Sequence, residues 1–373
     1  MLCGLATCTL AAHAQSDVTL YGTIDQYIGY IHSSSGAHVL GVNDGTIHRS
    51  RIGVRGSEDL GDGYRTTYDF ETGLVVNTGA QADSSRLFDR QAWIGLVTPV
   101  GEFRAGRQNA AIFEIGDAID YTERTTFGSL VNTFGTPSRY DNDLMYQTKR
   151  YAGLQLTLHY ALPENGSTTG TVVTKGNHPL YQLGLDYSSG RYRFGYAGLS
   201  EQPNSITATV HEAIVYHNIY ANYHYSSGTL YFTMVRSNNS TSNANGNNAT
   251  AILSDVGSPS NYVAGTDLNA LRYYNIYQIS ADYRITLRLK IGALYGVMRD
   301  MSGGDAGVSG GNMGGYYDVT KRTHLYSYIS YMKNQVNGGW RFSGSAAPTA
   351  NLAGADINGK GLLGLQAGIV LQF

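Results

Sequence analysis

No apolar run in this 373-residue chain approaches the ~20 residues that a membrane-spanning helix needs. If the chain enters a membrane, it does so as a closed barrel of strands. Charge is scarce too, at 14% of residues, and is split almost evenly between 26 basic and 28 acidic side chains. Nothing in that balance points to nucleic acid or another polyanion. Cysteine occurs only at Cys3 and Cys8, inside the N-terminal run MLCGLATCTLAAHAQS. That run ends in Ala12-His13-Ala14, a small-x-small cleavage pattern, so residues 1–14 are expected to be a signal peptide, although its start lacks the usual basic residues. The remainder, 15–373, then has no thiol. This suits an oxidising compartment and removes thiolate catalysis and Cys-based metal sites.

What the chain has in quantity is glycine, 47 residues, and tyrosine, 30 against 10 Phe and 2 Trp. With only 7 Pro, that composition favours many strands over helices. The strands are visible as alternation. Val18, Leu20, Gly22, Ile24 and Ile28 alternate with Thr19, Tyr21, Thr23, Asp25 and Tyr27. Ile52 and Val54 alternate with Arg49, Arg51, Gly53 and Arg55, and Tyr64, Tyr68 and Phe70 with Arg65, Thr67, Asp69 and Glu71. At the C-terminus Leu363, Leu365, Ala367, Ile369, Leu371 and Phe373 share a face. Charge recurs on one face of successive strands, while the other is apolar and rich in Tyr. A soluble barrel would turn its apolar face inward, so this pattern predicts a wall with lipid outside and water inside.

Connections alternate in length. Short polar turns fall at 57–63, 98–99, 149–153, 188–190, 226–228, near Arg284, and at 319–323. Long ones fall at 31–47, 77–86, 108–139, 161–180, 201–213, 237–271, 300–312 and 334–361. Seven tight turns and eight long loops predict about sixteen antiparallel strands, with short turns on one rim and long loops on the other. The glycine-rich run MSGGDAGVSGGNMGG is weak as a strand, and only the count places the fourteenth there. Closure is obligatory, because an open sheet edge would strand unpaired N–H and C=O groups in hydrocarbon. The 237–271 stretch is low-complexity and reads as a surface loop.

The stretch 108–139 keeps neither strand nor helix period, yet it carries Ile112, Phe113, Ile115, Ile119, Tyr121, Phe127 and Phe134 to bury, and Glu114, Asp117, Asp120 and Glu123 as acids. A long irregular segment in a compact β chain is functional or disordered, and so much apolar content favours function. It reads as a plug or constriction, with the barrel as the wall around it.

AAHAQSDVTLYGTIDQYIGY, SRIGVRGSEDLGDGYRTTYDFETG, LFDRQAWIGLVTPVGEFRAGRQ, SRYDNDLMYQT, VTKRTHLYSYISYMKN and the terminal Phe373 resemble, in that order, the general diffusion porins of Gram-negative outer membranes, β-proteobacterial type. The resemblance implies an all-β, sixteen-stranded, transmembrane antiparallel β-barrel in the cell outer membrane, one domain over 15–373, whose third long loop folds inward. It implies a homotrimer set in outer-membrane lipid and lipopolysaccharide, with Phe373 in the signal read by the barrel-assembly machinery. Its function would be passive diffusion of ions and small hydrophilic solutes, without enzyme activity, metal or cofactor.

By motif, Arg51, Arg90 and Arg139 form the constriction wall, with Arg49 and Arg65 on the charged strand faces completing it. Opposite them the resemblance places the loop acids Asp120 and Glu123, with Asp117, and with Glu114 nearer the loop base. The Pro-Glu-Phe-Gly tip of enterobacterial members is absent, which leaves the tip residues open. Opposed charges across a narrow watery gap bias which ions pass. The arginines favour anions, and a substrate-selective channel for small anions is the alternative reading.

Other functions are poorly supported. His159, His211, His217, His224 and His324 have no metal-ligand spacing and read as solvated. Asn358-Gly359-Lys360-Gly361 lacks the Ser or Thr and the following helix of a phosphate loop, and no G-x-S-x-G elbow occurs. A secreted adhesin would need its charges outside.

Overall fold

The computed structural model describes residues 16–136, 138–162, 180–201, 214–238, 273–301, 303–342, 351–352 and 354–373. The expected signal peptide and most of the 237–271 loop lie outside these.

The alternation in the sequence becomes a wall. The strands are β1 (Ser16–Ser33), β2 (His38–Asp44), β3 (Arg51–Gly61), β4 (Tyr64–Val75), β5 (Ala80–Gln81), β6 (Gln91–Thr98), β7 (Gly101–Asn109), β8 (Arg139–Thr148), β9 (Leu154–Ala161), β10 (Leu180–Ser189), β11 (Tyr192–Glu201), β12 (Ile214–Tyr225), β13 (Gly228–Ser237), β14 (Tyr274–Arg284), β15 (Leu289–Asp300), β16 (Val308–Asp318), β17 (Thr323–Asn334) and β18 (Gly361–Gln372). Each pairs antiparallel with its neighbour, and β1 closes on β18 from Thr23↔Gln372 to Ser33↔Leu362. The backbone of Phe373 extends that seam by exchanging two hydrogen bonds with Gly22. β2 and β3 pair with successive halves of β1 and share one stave, and the two-residue β5 only extends a loop. Sixteen staves remain. Along β17, Leu325, Ile329 and Tyr331 are exposed while Tyr326, Tyr328, Ser330 and Asn334 are buried. Leu371 is likewise 42% exposed. The greasy face is outside.

Ring pairs on that outer face fall in two belts. Phe103–Tyr146, Tyr187–Phe194, Tyr192–Tyr223 and Tyr225–Tyr283 lie by the short turns, and Tyr160–Tyr181 towards the other rim. Tyr181 and Tyr187 stand six residues apart on β10. That is roughly 20 Å of strand, close to the ~25 Å apolar band between the aromatic girdles of outer-membrane barrels.

One expectation about connections changes. The long loop expected at 31–47 is instead a tight turn and β2, after which 45–50 bulge into the lumen. Asp25 explains the bulge: its carboxylate accepts the backbone N–H groups of Ile47 (2.6 Å) and His48 (2.8 Å) and the Tyr326 hydroxyl (2.6 Å). Glycine-rich β16 does form the fourteenth stave, paired along its whole length with β15 and β17. Ladders on both sides override its poor propensity.

The last long loop also turns inward, which its sequence did not suggest. Trp340 is 1% exposed, packs on Phe134 and Tyr274, and donates Nε1–H to the Ala306 carbonyl at 2.7 Å. Phe342 stacks on Phe127 at 5.1 Å between centroids. This loop therefore clamps the 110–138 segment from the loop-bearing rim. Truncating a buried Trp or Phe to Ala costs about 3–5 kcal/mol. We expect Trp340→Ala with Phe342→Ala to leave the barrel assembled but to raise open-channel current noise; noise at the wild-type level would show that the clamp does not restrain the segment.

Candidate functional site in the barrel lumen

The segment 110–138 carries three short helices, α1 (Ala111–Glu114), α2 (Gly116–Ile119) and α3 (Leu130–Phe134), and crosses the lumen to the wall formed by β9 to β18. Inward polar side chains hold its backbone. Gln182 accepts from Ala111 N–H (2.9 Å), Ser280 from Tyr121 N–H (3.3 Å), Gln278 from Leu130 N–H (2.8 Å) and Gln366 from Phe127 N–H (3.0 Å). Asn312 and Ser330 donate to the Phe127 carbonyl at 2.7 and 2.9 Å. The Tyr121 ring lies where a Cβ on Gly292 would stand, 2.3 Å from the ring, so glycine is required there. Ile112, Ile119, Phe127, Leu130 and Phe134 are fully buried on that side.

Asp120 organises the turn between α2 and α3. It is 1% exposed, and its two oxygens accept from Thr122 N–H (2.9 Å), Thr122 Oγ1 (2.7 Å), Arg124 N–H (2.9 Å), Ser129 Oγ (2.8 Å) and Gln278 Nε2 (2.7 Å). The expectation that Asp120 faces the arginine wall is therefore corrected: a carboxylate using this many lone pairs folds the loop and shows no charge to the lumen.

The open part of the lumen is bounded by the arginine side. Glu71 on β4 sits between Arg51 (3.0 Å) and Arg90. Arg107 pairs with Asp141 at 2.6 Å, and Asp141 also takes Arg86 at 2.6 Å. Arg139 opens β8 within electrostatic reach of Arg90, Arg107, Glu71 and Asp89. Arg49, carried inward by the 45–50 bulge, faces Arg90, Asp44 and Asp89. Two guanidinium nitrogens of Arg139 (Nε and Nη2) and Nε of Arg49 have no hydrogen-bond partner. Phe113 of the loop lies under both Arg139 (4.9 Å) and Arg124 (4.3 Å).

The structure thus brings Arg49, Arg51, Arg90 and Arg139 together. Arg65 is not with them: it stands six residues before Glu71, roughly 20 Å nearer the short turns. The other loop acids find different partners. Asp117 pairs with Arg193 of β11 at 2.7 Å, and Glu114 accepts from Asn109. Glu123 is exposed in the lumen, with Asp117, Lys290 and Arg124 as its charged surroundings. Dense walls desolvate it and Asp117 adds like charge, so its pKa is raised. Sequence reasoning missed Asp25, Arg107 and Arg193 as members of the site, while the alternation that singled out Arg51 also put Glu71 on the inner face. His159, expected to be solvated, is buried against Asp143 at 2.6 Å.

A family model described as Gram-negative porin matches residues 2–337. The chain belongs to the Gram-negative porin family. An outer membrane porin protein of Bordetella pertussis is 28% identical over 357 residues, covering 87% of this chain and 91% of that protein. A major outer membrane protein P.IB of Neisseria meningitidis serogroup B is 31% identical over 202 residues, covering 53% of this chain and 57% of its own length. Among solved structures, an anion-selective porin from Comamonas acidovorans superposes with a TM-score of 0.74 at 19% identity, covering 96% of this chain and all of that one. This porin is an outer-membrane barrel with a charged, partly open lumen, a diffusion channel for ions and small hydrophilic solutes.

Proposed function

We propose that this porin prefers anions. The observation that carries the reading is the cluster at the gap in which Arg49, Arg51, Arg90, Arg107 and Arg139 outnumber the nearby acids Asp44, Glu71, Asp89 and Asp141, with Nε and Nη2 of Arg139 and Nε of Arg49 left without a protein partner. The excess positive charge lowers the energy of an anion in the narrow gap and raises that of a cation. The neighbouring solved porin named as anion-selective supports this.

The assembly we infer is a homotrimer. Support comes from the outer face of β18, β1, β2 and β3, where Leu365, Ile369, Leu371, Val18, Leu20, Ile28, Leu40 and Val42 are exposed. The ring pairs of the belts lie on other strands, while alternation puts the amide of Gln26 on this face. A buried amide is tolerated between subunits better than in lipid. We also assign Phe373 to the assembly signal and residues 1–14 to a cleaved export signal. Purified protein in a planar bilayer is expected to insert in conductance steps divisible into three equal levels; single-level closure to zero would remove the trimer, and absence of conductance would remove the channel.

A further inference from the structure

We propose that the wall just on the short-turn side of the arginine cluster is a docking ledge for planar organic anions, aromatic carboxylates in particular. It rests on the reading of the lumen as an anion path and names a class of solute held there.

Both tryptophans of the chain, Trp93 and Trp340, point into the barrel, whereas an interfacial belt is the usual place for Trp in such a protein. Trp340 is spent on the clamp. Trp93 on β6 is half-buried and lines the inner wall. Its cross-strand partner is Asp69 on β4, whose next neighbour is Arg55 on β3.

Two ring–guanidinium stacks result, side by side. Arg104 lies 4.2 Å from the Trp93 ring, with its fork held by Glu102 through two contacts of 2.9 Å. Trp93 Nε1–H donates to Gln91 at 3.0 Å, which fixes the indole. Next to it the Tyr21 ring lies flat on Gly53, where a Cβ would come within 2.6 Å of the ring. Its hydroxyl donates to Asp69 at 2.6 Å and also lies 3.2 Å from Glu71. Arg55 sits 5.1 Å from that ring.

The charges on the ledge are not equally free. Glu102 is occupied by Arg104, and one oxygen of Asp69 by Tyr21. Among the described residues the Arg55 side chain makes no hydrogen bond or ion pair, although Asp69 is close enough to influence it, and it is exposed to the lumen. The ledge therefore offers one available guanidinium beside two rings whose orientation is fixed. A carboxylate takes the N–H donors of Arg55, and a ring attached to it stacks on the Arg104–Trp93 layer. Chloride and acyclic carboxylates such as acetate have no ring to lay on the ledge, so they pass without being held.

The test is single-channel recording of the assembled porin in chloride, with benzoate, cyclohexanecarboxylate or acetate added on the short-turn side. Benzoate is expected to interrupt the current with a residence time about fivefold longer than cyclohexanecarboxylate, while acetate gives no resolved events. Trp93→Leu and Arg55→Gln should each shorten the benzoate events to the cyclohexanecarboxylate level. Conductance of each variant shows that it has assembled. If benzoate behaves like acetate in a wild-type channel that prefers chloride, the ledge is wrong and the arginine cluster stands. If the wild type does not prefer chloride, the cluster reading fails first. Benzoate events unchanged in both variants would place the binding elsewhere and overturn the proposal.

Discussion

Replacing Arg49 and Arg139 together with Gln is expected to lower the anion-to-cation permeability ratio by roughly tenfold. A unit charge 5 Å from an ion's path contributes about 0.8 kcal/mol even at the dielectric constant of water, about a fourfold bias per charge. These two residues are chosen because their guanidinium nitrogens lack partners. Arg51 and Arg90 are a poorer choice, since both lean on Glu71, itself buried. Removing both would leave an uncompensated buried carboxylate, which costs about 3–5 kcal/mol, and any change in selectivity would be confounded by misfolding. The zero-current potential in a salt gradient is the readout. A double variant with the wild-type potential would move the selectivity determinant away from this cluster.

The second large effect belongs to Asp120→Ala. Five donors lose their acceptor at once, including Gln278, which links the loop to β14. Each buried donor left unsatisfied costs about 1–3 kcal/mol, more than a short loop with helices of four or five residues can absorb. The segment is expected to leave its dock while the barrel, held by its strand ladders, stays closed. Single-channel conductance should then rise severalfold, with selectivity weakened because the gap has widened. Asp120→Asn keeps part of the acceptor capacity and should fall between the two. Wild-type conductance in Asp120→Ala would mean that the aromatic contacts of Phe127 and Phe134 hold the segment unaided.

The wall was legible in the sequence because alternation is a local property: which face of β17 or β18 meets lipid is written every second residue. Of the wall arginines, Arg49 and Arg51 stand on the face that alternation marks as inner, whereas Arg90 and Arg139 came from the resemblance of their motifs; Arg65 has the right face, but alternation does not encode its height on the strand. The loop acids were not legible. Whether Asp120 faces the gap or folds its own turn depends on where Gln278 and Ser129 arrive, and that is set by a contact 158 residues away. The same holds for the inward turn of the last loop, which depends on Phe127 and Phe134 already lying inside. Arg49 was visible as a charge on a strand face, but its reach into the gap comes from the bulge that Asp25 gathers across the seam between β1 and β3.

The most direct test of a water-filled lumen biased by unpaired arginines is the zero-current potential of the wild-type porin across a planar bilayer in a tenfold potassium chloride gradient. The account predicts a stable conductance and a potential whose sign marks chloride as the more permeant ion. A potential of the opposite sign, or no ion flow through the assembled barrel, would contradict it.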